Sequence, residues 1–152
     1  MLNEAGTALA MGFAFAPISL VINAPTVIRA KATGETVISI GGITRPGSGR
    51  FPTPTISVGD SNPNAKLDLI LTVNYGTLWG LTLGLRGGLE VETGSKIELK
   101  GTQQQVNALL ESVKYTPPDI LPPTETPITL TIKATDLTTG ITATTTVQIE
   151  VL

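Results

Sequence analysis

Short runs of Val, Ile, Leu and Thr, cut every few residues by Gly or Pro, fill this chain from Ile18 to its end. Runs so short and so β-branched fit pleated strands, where a stiff χ1 costs little, better than packed helices. The 16 Gly and 11 Pro supply the turns between them. The runs predict strands at residues 18–22, 26–32, 36–43, 55–58, 67–74 and 77–83, then at 89–92, 96–100, 113–116, 128–134 and 141–151. Alternation is clearest at the end, where Val147, Ile149 and Val151 face one way and Gln148 and Glu150 the other. Many short strands with Gly/Pro punctuation predict an all-β fold of the sandwich type, and 152 residues suffice for one domain with a sizeable core.

One segment departs from this pattern. Thr102 followed by Gln105 matches a capping box, and Val106, Leu109 and Leu110 fall on one helical face. A single short helix is expected there, plugging one end of the sandwich or bridging its sheets. Segments 45–54 and 117–127 are Pro-rich loops, the second long enough to cross between sheets.

Charge narrows the chemistry. Only 14% of residues are charged, the net charge is −2, and the ten basic residues are scattered. Nucleic-acid binding would need a basic stripe, so no nucleic-acid partner is expected. With neither His nor Cys, an imidazole general base, a thiol nucleophile and a zinc or iron–sulfur centre are excluded.

The most apolar stretch is N-terminal. Its start, Met-Leu-Asn-Glu, lacks a basic n-region, although Ala14-Phe15-Ala16 has the small-x-small form of a signal cleavage site. Gly6, Gly12 and Pro17 break it up below the roughly 20 continuous apolar residues a membrane span needs, so no span is expected. Inside it, Leu9, Met11, Phe13 and Phe15 alternate with Ala8, Ala10, Gly12, Ala14 and Ala16. This period of two gives a strand with one large and one small face. Residues 1–22 therefore divide from a 23–152 sandwich body, either as its first strand or as an extended arm that adds to a neighbouring subunit. In the second case Leu9, Met11, Phe13, Phe15, Ile18 and Leu20 are the partner-binding candidates.

Several segments of the body carry a resemblance: Asn23-Ala24-Pro25-Thr26, Ile56-Ser57-Val58-Gly59-Asp60, Asn74-Tyr75-Gly76-Thr77-Leu78, and Gly101-Thr102 followed by Val106-Asn107-Ala108-Leu109-Leu110, Tyr115 and Pro117. In order and spacing they resemble the cadherin-like and bacterial immunoglobulin-like repeats of very large bacterial surface adhesins. Modules of this sort also occur on tailed-phage virions. The resemblance spans about residues 23–152. It implies an immunoglobulin/cadherin-like sandwich in which 74–78 forms a hairpin and 136–140 an acidic turn before the last strand, and a spacer, adhesive or assembly role; it does not imply an activity. One copy of the module with an apolar arm suggests a decoration or cement component on a virion surface, held by protein subunits of the same assembly, itself included. The alternative is a repeat of a secreted adhesin at the cell surface or outside it.

Three groups of residues are site candidates. Related repeats carry paired carboxylates at a strand end for Ca²⁺, which takes hard oxygen ligands. Asp60 and Asn62, with Asp136 and Asp68 brought near by the fold, would supply them here. The competing expectation is an ordinary turn in which Asp and Asn bond their own backbone. No other cofactor is expected. Glu90, Glu92 and Glu98 could flank a sugar as paired carboxyls, yet strand faces carry such residues for solubility, and no enzyme is expected. Trp79 is expected in the core rather than at an interface.

Overall fold

The computed structural model describes residues 19–38, 56–84 and 88–152. The chain forms β1 (Leu20–Asn23), β2 (Val27–Ala30), β3 (Thr36–Val37), β4 (Ser57–Asp60), β5 (Lys66–Val73), β6 (Thr77–Leu83), β7 (Leu89–Gly94) and β8 (Lys96–Thr102). Helix α1 (Gln103–Leu110) follows, then β9 (Lys114–Thr116), β10 (Ile128–Asp136) and β11 (Thr142–Val151). The all-β architecture with one short helix is as expected. Most strands shift by one to three residues at their ends, while the 36–43 run is paired only over Thr36–Val37 in the described residues. The 45–54 loop lies outside them.

The strands make a five-stranded sheet in the order β2-β11-β10-β5-β8, a four-stranded sheet in the order β3-β9-β6-β7, and a two-stranded ribbon of β1 with β4. Pairing is antiparallel except for β2 beside β11, which is parallel. Period-two alternation sends Leu67, Leu69, Leu71 and Val73 of β5, and Ile128, Leu130, Ile132 and Ala134 of β10, into one core. Leu78, Val113 and Tyr115 meet them from the other side. Fully burying each such aliphatic side chain is worth roughly 1.5–3 kcal/mol.

Helix α1 starts where the sequence puts it. Gln105 N–H donates to Thr102 Oγ1 at 3.3 Å, and Thr102 N–H donates to Gln105 Oε1 at 2.9 Å, which is the capping box closed in both directions. Val106, Leu109 and Leu110 are buried, so the helix plugs the core. Asn107 then ties it to β4: its Oδ1 accepts from Val58 N–H and its Nδ2 donates to Val58 O, both at 2.9 Å.

The 74–78 segment is a correction. It is not a hairpin, because β5 and β6 belong to different sheets. The turn arches across the sandwich, and both sides hold it. Asn74 Oδ1 accepts from Thr129 N–H at 2.8 Å and Asn74 Nδ2 donates to Pro127 O at 3.0 Å. From the four-stranded sheet, the Tyr115 hydroxyl donates to Tyr75 O at 2.8 Å. The 117–127 loop, in contrast, crosses between sheets as expected, joining β9 to β10.

Candidate functional site

Two of the expected calcium ligands come together at the end of the sandwich where β4 and β10 finish. Asp60 is 8% exposed and Asp136 fully buried. Each uses one carboxylate oxygen locally. Asp60 Oδ1 accepts from Asn62 N–H at 2.8 Å, while Asp136 Oδ1 accepts from Thr138 N–H at 2.8 Å and Thr139 N–H at 3.2 Å. The second oxygen of each is buried without a protein partner other than the opposing carboxyl. The turn expectation therefore holds for Oδ1, and a site remains at the two Oδ2 atoms.

Two adjacent buried carboxylates cannot both carry charge without a bridging proton or cation. Burial pushes the Asp60 carboxyl above its ordinary value, more than the Asn62 N–H pulls it down, and the neighbouring Asp136 adds to the rise. Burial acts on Asp136 in the same sense, but the hydrogen bond from Asp60 and the N–H groups of Thr138 and Thr139 outweigh it and hold Asp136 below the usual range. Of the two, Asp60 is the one whose protonated form the site favours. Asn62 does not join them, since its Oδ1 accepts from Asn64 N–H at 3.0 Å. Gln103, which the sequence did not single out, does reach the site: its Oε1 accepts from Asp60 N–H at 3.1 Å.

The same end holds the base of the N-terminal segment. Ser19 N–H donates to Ser61 Oγ and Ser61 N–H to Ser19 O, both at 3.0 Å. Residue Leu20 lies opposite Asp60 in the β1–β4 ribbon and packs against the core of its own domain. The other arm candidates, Leu9, Met11, Phe13, Phe15 and Ile18, lie outside the described residues.

Asp68 is on β5 opposite Thr135, next to Asp136 in register but on the other face of the sheet. Burial and a hydrogen bond with Glu98 push its carboxyl up to about 6. A carboxyl raised in the folded state stabilises the fold below its unfolded value near 3.8 and loses that contribution as pH rises through about 6. Asp60 is raised and acts in the same sense, whereas the lowered Asp136 matters only under more acidic conditions. The urea midpoint should therefore be higher at pH 5 than at pH 7, and Asp68→Asn should reduce the difference. A midpoint that rises steadily from pH 5 to pH 7 in the unmodified protein would contradict this.

Glu90, Glu92 and Glu98 do share a groove, with Thr82, Gly84 and Lys100. Its chemistry is structural at Glu92, whose Oε1 accepts from Glu98 N–H at 2.8 Å, while Thr82 Oγ1 donates to Glu98 O at 3.1 Å. These side chains occupy the backbone groups of Glu98 on the outer edge of β8.

The core expectation for Trp79 is corrected. Leu78 and Gly80 point inward, and a Cβ on Gly80 would lie 2.9 Å from Ile97 Cδ1. Trp79 faces out, half-buried, with the Lys114 ammonium 4.9 Å from its ring centroid. In register, Trp79 stands beside Thr93, Leu81 beside Val91 and Leu83 beside Leu89. Directly opposed residues share a face, so Trp79, Leu89 and Val91 lie on one face with Leu81 and Leu83, which are partly buried against the core. Leu89 is 62% exposed and Val91 59%. Period-two alternation says which residues of β6 and β7 share a face, but not which face is the outer one.

Among the described residues no helix is long and apolar enough to cross a membrane. Comparison with protein-family models, curated proteins and solved structures gives no match.

Proposed function

We propose that this chain is a non-enzymatic structural module of the immunoglobulin/cadherin-like type, anchored through its N-terminal arm in a large assembly such as a virion surface. The parallel β2–β11 pair at a sheet edge and the β3-β9-β6 arrangement opposite it support the sandwich type. The observation that carries the anchoring role is where the core lies. Among the described residues it runs from Ile28 to Ile149 and draws on both sheets and the helix, while the alternating apolar stretch 8–16 precedes it in sequence, upstream of the Ser19–Ser61 clasp. A strand with a large apolar face gains most by covering another apolar surface. Deleting residues 1–17 should abolish co-migration with large particles in a density gradient of the native source, and the body should keep a cooperative urea transition. Full co-migration of the truncated chain would end the anchoring role.

The second reading is a calcium-stiffened adhesive or spacer module outside the cell. It rests on the two buried Oδ2 atoms of Asp60 and Asp136, which have no partner besides the opposing carboxyl, at the end of the sandwich that holds Ser19. Asp60 and Asp136 would hold the ion and stiffen the exit of the arm. With two carboxylates, the affinity belongs to the weak range, on the order of 10⁻⁴–10⁻³ M. Calorimetric titration should give heat at millimolar Ca²⁺ that disappears in Asp60→Asn, and a flat titration would exclude this reading.

A further inference from the structure

We propose that the uncovered half of β11, Thr142–Val147, pairs antiparallel with the same segment of a second copy of this chain, joining two five-stranded sheets across a two-fold axis at Thr144. The inference uses the sandwich body alone and goes beyond the anchoring role of the arm.

A mismatch of lengths makes the edge. Strand β11 runs over 10 residues, but β2 covers only Gln148–Val151 on its outer side. Among the described residues Thr142–Val147 pairs with β10 alone. Strand β1 packs against β10 and β11 without pairing to either, so it lies across their inner face and not in the plane of the edge. Which groups face the gap follows from the covered half. Gln148 N–H donates to Thr26 O at 3.0 Å and Leu152 N–H to Ala30 O at 2.9 Å, so the even-numbered residues point their N–H and C=O away from β10. Backbone direction alternates along a strand, and Thr142, Thr144 and Thr146 therefore turn their donors and acceptors to the open side.

Open N–H and C=O rows recruit further strands, and natural sheets guard them with charge, Pro or short length. The other edges are guarded in this way. Strand β7 carries Glu90 and Glu92, and β8 is closed at Glu98 by Glu92 and Thr82. Strand β2 carries the Arg29–Glu150 ion pair, and β3 has two residues. Residues 137–147, in contrast, hold neither charge nor Pro.

Self-complementarity selects a second copy. With Thr144 opposite itself, Thr142 of one copy meets Thr146 of the other, and the reverse. Every residue that points outward then faces one that does the same, so each open N–H finds an open C=O. The side chains agree with this register. Thr142, Thr144 and Thr146 are exposed on the outer face, and opposed Thr pairs stabilise a sheet, whereas like charges would oppose it. On the inner face Ala143 meets Thr145, and Ile141, 40% exposed, comes opposite Val147 of the second copy. The ends fit as well. Gly140 falls opposite Gln148, where β2 begins, and there the Asp136–Gly140 turn bends back toward β10, which leaves β2 its place.

The test uses the full chain. Light scattering at millimolar concentration should show a dimer. Thr144→Lys and Thr144→Glu each set like charges opposite one another at the axis, so each should give a monomer, and an equal mixture of the two should restore the dimer. Thr144→Glu stands beside Lys133 of its own sheet and should keep a cooperative urea transition. The chain has no cysteine to interfere with crosslinking. Opposed hydrogen-bonded residues have Cα atoms about 5.5 Å apart, within disulfide range. Under mild oxidation, mixed Thr142→Cys and Thr146→Cys proteins should therefore crosslink severalfold more than either alone. A chain that stays monomeric, a dimer that survives Thr144→Lys and Thr144→Glu, or a mixture that crosslinks no better than its components overturns the proposal.

Discussion

Asp136→Ala should destabilise the fold by about 3 kcal/mol, the cost of two hydrogen bonds to a charged acceptor, whereas Asp60→Asn should leave stability at pH 7 equal or higher. Asp136 Oδ1 holds the N–H groups of Thr138 and Thr139 in the β10–β11 turn, and alanine leaves both without their acceptor. The substitution also removes the carboxyl that faces the buried Asp60 side chain. At position 60 the asparagine amide imitates the protonated acid. Its NH₂ can donate toward Asp136 Oδ2, while its carbonyl keeps the bond from Asn62 N–H. Urea denaturation with unchanged slope reads both. Equal losses in the two variants would mean that the pair shares no proton.

Gly76→Ala should cost about 3 kcal/mol, and Gly140→Ala about 1 kcal/mol. Both glycines have positive φ, +95° and +81°, so both pay the left-handed backbone term of roughly 1–2 kcal/mol. Their surroundings differ. A Cβ at Gly140 meets nothing within 4 Å, whereas at Gly76 it would lie 2.6 Å from Thr116 O and from Tyr115 Cε1 and Oη. Tyr115 is fully buried and its hydroxyl bonds Tyr75 O, so the ring cannot move without breaking the tie that closes the arch between sheets. Thermal unfolding of the two variants side by side separates the terms. A Gly76→Ala loss no larger than that of Gly140→Ala would show that Tyr115 yields at no cost.

How much of this was legible in the residues depends on the range of each interaction. Both bonds of the capping box lie within three residues, so Thr102 and Gln105 announce the start of α1. The Asp136–Gly140 turn is equally local. The pairing of Asp60 with Asp136 was legible only as residue types at two strand ends, because their meeting depends on where β4 and β10 finish. Gln103 carried no signal at all, since it acts through one side-chain bond to a strand distant in sequence.

By itself, then, the sequence determined strands, turns, one capped helix, and a chemistry without imidazole, thiol or basic stripe. Each of these follows from side-chain type and spacing over a few residues. Only the tertiary structure decided that Asn74–Leu78 arches between sheets rather than folding back as a hairpin, and that Trp79 faces outward. Period two fixes which residues share a face but not which face is buried. That choice belongs to the partner sheet, and here Ile97 fills the space over Gly80 and leaves Trp79 on the other face.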